Sequence, residues 1–240
     1  MGIALILSGG SGVRLGTDIP KQYIEIYDRP VISYCVEKFV SHPKIDGIQI
    51  VAAVQWHDTI MHSLEQLVSL GIAPEALSKF KGFSMPGENR QLSIYHGLTD
   101  IMEYADEDEI IIIHDAARPM ISLQMITDCL NAAYEHEGVL PVLPMKDTVY
   151  VSKDGIRVSA LLKRNEIFAG QAPEAFRLGK YYEANTRLMP DEIMKINGST
   201  EPAVLAGMDV VMIPGDERNF KITTKADLEK FEGIIEGKNM

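Results

Sequence analysis

Short apolar runs alternate along the chain with segments of helical periodicity. Residues 2–7 and 108–115 lack polar alternation, which is typical of strands buried on both faces. The pattern predicts strands at 2–7, 46–54, 108–115, 139–144, 208–215 and 219–223, and helices at 29–43, 58–71, 88–105, 122–138, 178–189 and 224–237. This alternation predicts an α/β fold with a mostly parallel sheet covered by helices on both faces.

Polar residues and glycines mark the predicted helix ends. Asp58, Ser122 and Thr224 stand where an N-cap side chain would accept a backbone N–H of the first turn. Gly71 and Gly138 follow the last periodic residues of two helices, where glycine commonly ends a helix. We therefore expect three helices to begin with a side-chain N-cap and two helices to end at a glycine.

One segment interrupts the alternation. Residues 146–168 predict two strands joined by a turn at Lys153-Asp154-Gly155. A hairpin inserted into such a fold is either an arm for dimer contact or a local extension of the sheet, and the pattern leaves both open. Because the chain contains no linker, repeat or low-complexity tract, residues 1–240 are predicted to form one domain.

Composition narrows the classes of protein. The 240 residues carry a formal net charge of −11, which disfavours binding to nucleic acid. Cys35 and Cys129 lie far apart in predicted helices, which favours buried thiols over a disulfide or a zinc site. No apolar run approaches the roughly 18 residues of a transmembrane helix. We therefore expect a cytoplasmic protein with neither nucleic-acid nor membrane partners.

A glycine-rich loop follows the first predicted strand, with the sequence SGGSGVRLGTDIPKQ at residues 8–22. Such loops usually hold phosphates, but a Walker A loop needs Gly-Lys-Ser/Thr at its end, and this loop lacks it. The dinucleotide fingerprint needs a third glycine where this chain has Leu15. Neither common phosphate loop therefore fits.

The whole loop resembles the signature of nucleotidyltransferases that join a nucleoside triphosphate to a sugar or polyol phosphate, and its PKQY ending is similar to the cytidylyltransferase branch. Further segments of that pattern occur in order along the chain: GENRQLS at 87–93, HDAARP at 114–119, Asp147-Thr148, Arg164, GQAPEAF at 170–176 and DERNFKITTKADL at 216–228. The chain thus resembles the CTP-dependent polyol-phosphate cytidylyltransferases, the family of the methylerythritol-phosphate and ribitol-5-phosphate enzymes.

The resemblance implies a three-layer α/β/α Rossmann-like nucleotidyltransferase fold with a protruding β-arm, and a homodimer formed through that arm. It implies attack of a phosphate-monoester oxygen on the α-phosphorus of CTP, with Mg²⁺ as cofactor and pyrophosphate leaving. Such a transfer depends on positioning and charge neutralisation, which suits glycines, arginine and lysine.

The resemblance also implies roles for single residues. Arg14, Lys21 and Lys221 would be catalytic, and Thr148, Arg164 and Lys221 would bind the polyol phosphate. Asp115 would meet the Mg²⁺-bound triphosphate or the ribose. The residues implied to bind the nucleotide are Ser8, Gly9, Gly10, Ser11, Gly12, Gly87, Arg90, Ser93, Asp115, Ala116 and Arg118.

The chain departs from the family pattern in two places. Asn197-Gly198 replaces a Thr-Asp pair on the acceptor side, where Ser199, Thr200 or Glu201 could substitute for the aspartate. QAPE at 171–174 replaces QTPQ. The acceptor therefore stays open among methylerythritol phosphate, ribitol 5-phosphate, a glycerol phosphate and other small polyol phosphates.

Two further functions remain as alternatives. A UTP- or dTTP-dependent sugar-1-phosphate transferase would share the glycine loop but not PKQ and HDAARP. A non-catalytic nucleotide-binding paralogue is disfavoured because Arg14, Lys21 and Lys221 are all present.

Overall fold

A computed structural model describes residues 2–10 and 19–237 of the chain. Its strands are β1 (Gly2–Leu7), β2 (Glu25–Ile26), β3 (Arg29–Pro30), β4 (Ile45–Val51), β5 (Phe80–Ser84), β6 (Ile110–Asp115), β7 (Gly138–Pro144), β8 (Tyr150–Val151), β9 (Ala160–Leu161), β10 (Phe168–Gly170), β11 (Glu174–Arg177) and β12 (Val210–Pro214). Its α-helices are α1 (Val31–Val40), α2 (His57–Ser69), α3 (Ala76–Lys79), α4 (Arg90–Ile101), α5 (Leu123–Glu135), α6 (Leu178–Thr186), α7 (Glu201–Leu205) and α8 (Lys225–Ile235).

The described residues form one eight-stranded mixed sheet and two small hairpins. Strands β5, β4, β1 and β6 lie side by side and are parallel, and β12 is parallel to β7. Strands β10 and β11 both pair antiparallel to β7, and β11 also joins β7 to β6. The mostly parallel α/β sheet predicted from the sequence is confirmed, with antiparallel strands on one side.

Alternate residues of the central strands enter two separate cores. Ala4 and Ile6 of β1 pack in the larger core with α1, α2 and α5, and Ile3 and Leu5 pack in the second core with α4 and α6. The uninterrupted run of isoleucines in β6 divides between the cores in the same way. Both faces of the sheet are therefore covered, which is why these strands show no polar alternation.

Several predicted ends are confirmed and two are wrong. The side chains of Ser122 and Thr224 accept the N–H groups of Met125 and Asp227, and Gly71 has φ +65°. Asp58 is not an N-cap, because the turn Val54–Trp56 runs directly into α2 and places Asp58 inside the first helical turn.

Gly138 does not end α5 but begins β7. A Cβ at this position would lie 2.9 Å from Val210 Cγ2 and 3.0 Å from Phe176 Cδ1, so the glycine serves close packing of three strands.

The strand predicted at 219–223 does not form. This segment is not paired with any strand, and its Ile222 N–H donates to Ala117 O at 2.8 Å. The pattern missed β5 because Lys81 and Gly82 interrupt its apolar residues, and β11 because its four residues begin and end with charge. It also missed the two-residue strands β2 and β3. Whether such short segments form strands depends on pairing with neighbouring strands, and their own sequence pattern does not show it.

The predicted hairpin forms, with strands of two residues each. Strands β8 and β9 pair antiparallel, and Asp154 Oδ1 accepts the N–H groups of Ile156 and Arg157 at 2.9 and 2.8 Å. Six large apolar side chains between 150 and 168 are exposed: Tyr150, Val151, Ile156, Val158, Leu161 and Phe168. We call residues 146–168 the arm.

Candidate active site

A cavity of about 490 Å³ opens where the carboxyl ends of β1 and β6 meet, at the paired residues Leu7 and Asp115. Ligands commonly bind at this edge of an open parallel sheet. The cavity wall brings together eight of the residues predicted from the sequence: Gly9, Gly10, Lys21, Gly87, Arg90, Ser93, Asp115 and Lys221. The predictions for Ser11, Gly12 and Arg14 lie outside the described residues.

Polar side chains anchor the start of the glycine loop. Gln22 Nε2 donates to Ser8 O and to Gly10 O, each at 2.8 Å, and Ser8 Oγ donates to Tyr23 OH at 2.8 Å. A Cβ on Gly9 would lie 2.5 Å from Pro86 Cβ. Glycine is therefore required here by the close approach of Pro86, and not only by a ligand. Gln22 belongs to the PKQ motif, but its role in holding the loop was not predicted from the sequence.

Asp115 lies at the centre of a charge cluster. Its Oδ1 is 3.1 Å from both Arg90 Nε and Arg90 NH2, and its Oδ2 is 3.0 Å from Lys221 Nζ and 3.4 Å from Arg118 Nε. Burial would raise the pKa of this carboxyl, but the three cations outweigh it and hold the pKa well below its usual range. Asp115 is therefore an anion that fixes the position of its basic neighbours.

The turn before α4 forms a second wall of the cavity. Asn89 is the N-cap of α4, and its Oδ1 accepts the N–H of Leu92 at 2.7 Å. Ser93 Oγ accepts the N–H of Gly87 at 2.9 Å and donates to Asn89 O at 2.8 Å. Ser93 thus holds the Gly87 turn in place. Asn89 is a wall residue that the sequence analysis missed, although its position before a helix is a typical N-cap signal.

Three predicted residues lie beside the cavity and do not line its described wall. Ser8 and Ala116 are buried, and Ala116 N–H donates to Leu7 O at 3.0 Å. Arg118 NH1 donates to Asn219 O at 2.8 Å, which ties the end of β6 to the segment that carries Lys221. These residues hold the site together.

Thr148 and Arg164 are not brought into this cavity within one chain. Both are exposed on the arm, where Arg164 NH1 donates to Lys146 O at 3.0 Å. Their assignment to the polyol phosphate stays a prediction.

The segment 196–202, expected on the acceptor side, also does not line the cavity. Ser199 and Thr200 instead donate their hydroxyls to the carboxylate of Glu174, and Glu201 Oε2 accepts the N–H of Asn197 at 2.9 Å. No pattern in the sequence paired Glu174 with this segment, because the two lie 25 residues apart.

The cavity suits a polyanion. Lys21, Arg90 and Lys221 contribute three basic side chains to its wall, against the carboxylates of Glu88 and Asp115. Within residues 2–10 and 19–237, no three His, Cys, Asp or Glu side chains are grouped to hold a metal ion. The arrangement can bind and neutralise phosphates, and bound phosphate oxygens could supply ligands to a divalent ion.

Comparison with known proteins identifies the family. The model of the IspD family, 2-C-methyl-D-erythritol 4-phosphate cytidylyltransferase, matches residues 3–237. The chain belongs to this family. Membership confirms the resemblance seen in the ordered motifs and makes the chain a member of a nucleotidyltransferase family.

Relatives within the IspD family carry two names. A 2-C-methyl-D-erythritol 4-phosphate cytidylyltransferase of Geobacter metallireducens is 33% identical, covering 98% of this chain and 97% of the relative. A ribitol-5-phosphate cytidylyltransferase of Streptococcus pneumoniae serotype 2 is 32% identical, covering 96% and 97%. These identities do not separate the two acceptors.

Solved structures of IspD-family proteins share the fold. A 4-diphosphocytidyl-2C-methyl-D-erythritol synthase of Anaerococcus prevotii superposes with a TM-score of 0.79 at 23% identity, covering 98% of this chain and 96% of its own. The Francisella tularensis 2-C-methyl-D-erythritol 4-phosphate cytidylyltransferase gives 0.76 at 24% identity, covering 96% and 97%. The predicted nucleotidyltransferase fold is confirmed.

Proposed function

We propose that this protein transfers the cytidylyl group of CTP to a small polyol phosphate and releases pyrophosphate. The acceptor is 2-C-methyl-D-erythritol 4-phosphate or ribitol 5-phosphate, the substrates in the names of its relatives. The observation that carries the proposal is the cavity at the ends of β1 and β6, where Lys21, Arg90 and Lys221 face one space. No observation favours the glycerol-phosphate, sugar-1-phosphate or non-catalytic alternatives.

The residues act by positioning and by charge. In-line attack on the α-phosphorus needs the acceptor phosphate and the departing pyrophosphate to be held on opposite sides of the reacting atom. Lys21, at the end of the glycine loop, neutralises charge on the α-phosphate. Lys221, in the segment between β12 and α8, receives the acceptor phosphate. Asp115 keeps Lys221 and Arg90 in place before substrate binds.

Mg²⁺ is part of the proposal as an ion that enters with the triphosphate. When bound, it would neutralise phosphate oxygens of CTP. Asp115 is the wall carboxylate nearest the basic residues, but both of its oxygens already contact cations. Asp115 would therefore supply at most one ligand to Mg²⁺, and the phosphate oxygens of CTP would supply others.

A substrate panel tests the function. We expect pyrophosphate release from CTP with one or both named acceptors, and at least about a hundredfold lower kcat/KM with UTP, because polar contacts to a base discriminate strongly. The assay measures pyrophosphate for CTP, UTP, dTTP and ATP against 2-C-methyl-D-erythritol 4-phosphate, ribitol 5-phosphate, glycerol 3-phosphate and glucose 1-phosphate. Turnover of UTP or dTTP with the sugar phosphate, or binding without turnover, would overturn the proposal.

We also propose that the arm joins two copies of the chain. Its apolar residues are unusually exposed for a monomer, with Ile156 at 86% and Val158 at 66%. A second copy would cover them and could bring Thr148 and Arg164 toward the partner's cavity. None of the described helices is long and apolar enough to cross a membrane. The proposal also includes a cytoplasmic location for the protein. It further includes the organisation of residues 1–240 as a single domain.

The oligomeric state tests the arm. We expect the wild type to be a dimer by light scattering after gel filtration, and the double variant Ile156→Asp, Val158→Asp to be a monomer, because charge at the contact would have to be buried on association. Leu70→Asp, at an exposed apolar side chain just after α2 and outside the arm, is the control and should stay dimeric. A monomeric wild type at micromolar concentration contradicts this role of the arm.

A further inference from the structure

Glu174 is a buried carboxylate that the mechanism above does not use. It is the first residue of β11, is 7% exposed, and lies in the antiparallel register opposite Ile113 of β6. Buried carboxylates are costly unless they are paired and hydrogen-bonded. The groups that pair with Glu174 therefore indicate its role.

The first contact is with Arg90 of the cavity wall. Arg90 NH2 lies 3.8 Å from Glu174 Oε2 and 3.1 Å from Asp115 Oδ1. The guanidinium group is thus held between two carboxylates. Arg90 reaches the cavity, whereas Glu174 does not line it.

The other contacts come from the segment 196–202. Ser199 Oγ donates to Glu174 Oε2, and Thr200 Oγ1 donates to Glu174 Oε1 at 3.0 Å. Tyr181 OH donates to Ser199 O at 2.6 Å and fixes the segment from its other side. Burial raises the pKa of Glu174, while Arg90 and the two hydroxyl donors favour its ionised form.

We propose that Glu174 is a positioning residue that orients Arg90 for the nucleotide, and that Ser199 and Thr200 fix Glu174 in turn. The inference rests on the proposed function and on the expected role of Arg90 in binding the nucleotide. Two places where the chain departs from the family pattern, position 174 and the segment after Asn197, therefore form one structural unit. This unit sets affinity for the nucleotide and choice of base, and it does not select the polyol phosphate.

The variant Glu174→Gln tests this assignment. Glutamine keeps the size of the side chain and can still hydrogen-bond the two hydroxyls, but it carries no charge to hold Arg90. We expect KM for CTP and the calorimetric Kd for CTP to rise about tenfold, because a small misplacement of a positioning group is costly. The preference for CTP over UTP should fall, while KM for the acceptor stays within about twofold and Tm within about 2 °C.

Two variants complete the experiment. Ser199→Ala should raise the Kd for CTP in the same direction by a smaller factor. Glu201→Gln, which removes a carboxylate from the same segment without contact to Arg90, should leave the Kd for CTP unchanged. A purely structural role for Glu174 would instead lower Tm without a selective change in CTP affinity.

Three results would overturn the inference: a rise in acceptor KM with CTP affinity unchanged, equal behaviour of Glu174→Gln and Glu201→Gln, or no CTP binding by the wild type. If the wild type binds CTP but turns over none of the acceptors, the proposed function fails. The calorimetric comparison of wild type and Glu174→Gln still decides the role of Glu174 in that case.

Discussion

Lys21→Ala is expected to lower kcat for pyrophosphate release by about 10²–10³-fold, the effect of removing one preorganised group that stabilises developing charge. Lys21 begins the turn Lys21–Tyr23, whose next two side chains are buried and hydrogen-bonded to Ser8. The backbone at Lys21 is therefore held in place next to the cavity. Initial rates at saturating CTP and acceptor measure the change.

The control for this variant is Lys225→Ala, which removes an exposed lysine at the start of α8. It should retain wild-type kcat, and both variants should unfold at the wild-type Tm. KM for CTP should change less than kcat in Lys21→Ala, because the interaction is made mainly in the transition state. Turnover within a few fold of wild type would show that Lys21 does not act on the reacting phosphate.

Local signals predicted the scaffold of the site well. The apolar runs of β1 and β6 placed two central strands, and the carboxyl ends of parallel strands meet at one edge of a sheet. Lys21 follows the first strand in the glycine loop, and Asp115 ends the other, so their approach could be expected from the topology. The ordered motifs, not the periodicity, indicated that the ligand is CTP.

Contacts between distant segments could not be predicted in the same way. Glu174 reaches Ser199 across 25 residues and Arg90 across 84 residues, and nothing in its own four-residue strand marks it as part of the site. The expectation that segment 196–202 faces the acceptor came from aligned position alone. The hydroxyls of Ser199 and Thr200 instead donate to Glu174, because a buried carboxylate is costly without hydrogen-bond donors.

The second large effect is expected for Asp115→Asn, which should abolish measurable turnover and lower the free energy of unfolding by about 2 kcal/mol at pH 7. Removing one partner of a buried ionic cluster costs about 3–5 kcal/mol, reduced here because Arg90 and Lys221 are each about one-third exposed to solvent. The amide leaves three cations without their shared anion. Urea unfolding followed by circular dichroism measures the loss.

The pH dependence of this stability difference has a definite sign. The folded-state pKa of Asp115 lies below that of the unfolded chain, about 4. Its stabilisation is therefore complete above about pH 4 and is lost as the pH falls from there toward the folded-state pKa. The gap in unfolding free energy between wild type and Asp115→Asn should be constant from pH 8 to 5 and narrow below pH 4.

Asp209→Asn is the matched control, because its exposed carboxylate pairs with His136 outside the charge cluster. Exposed pairs contribute little, so this variant should change the unfolding free energy by less than about 1 kcal/mol and leave turnover intact. A gap that widens on acidification, or an active Asp115→Asn, would show that Asp115 does not hold the basic residues of the cavity in place.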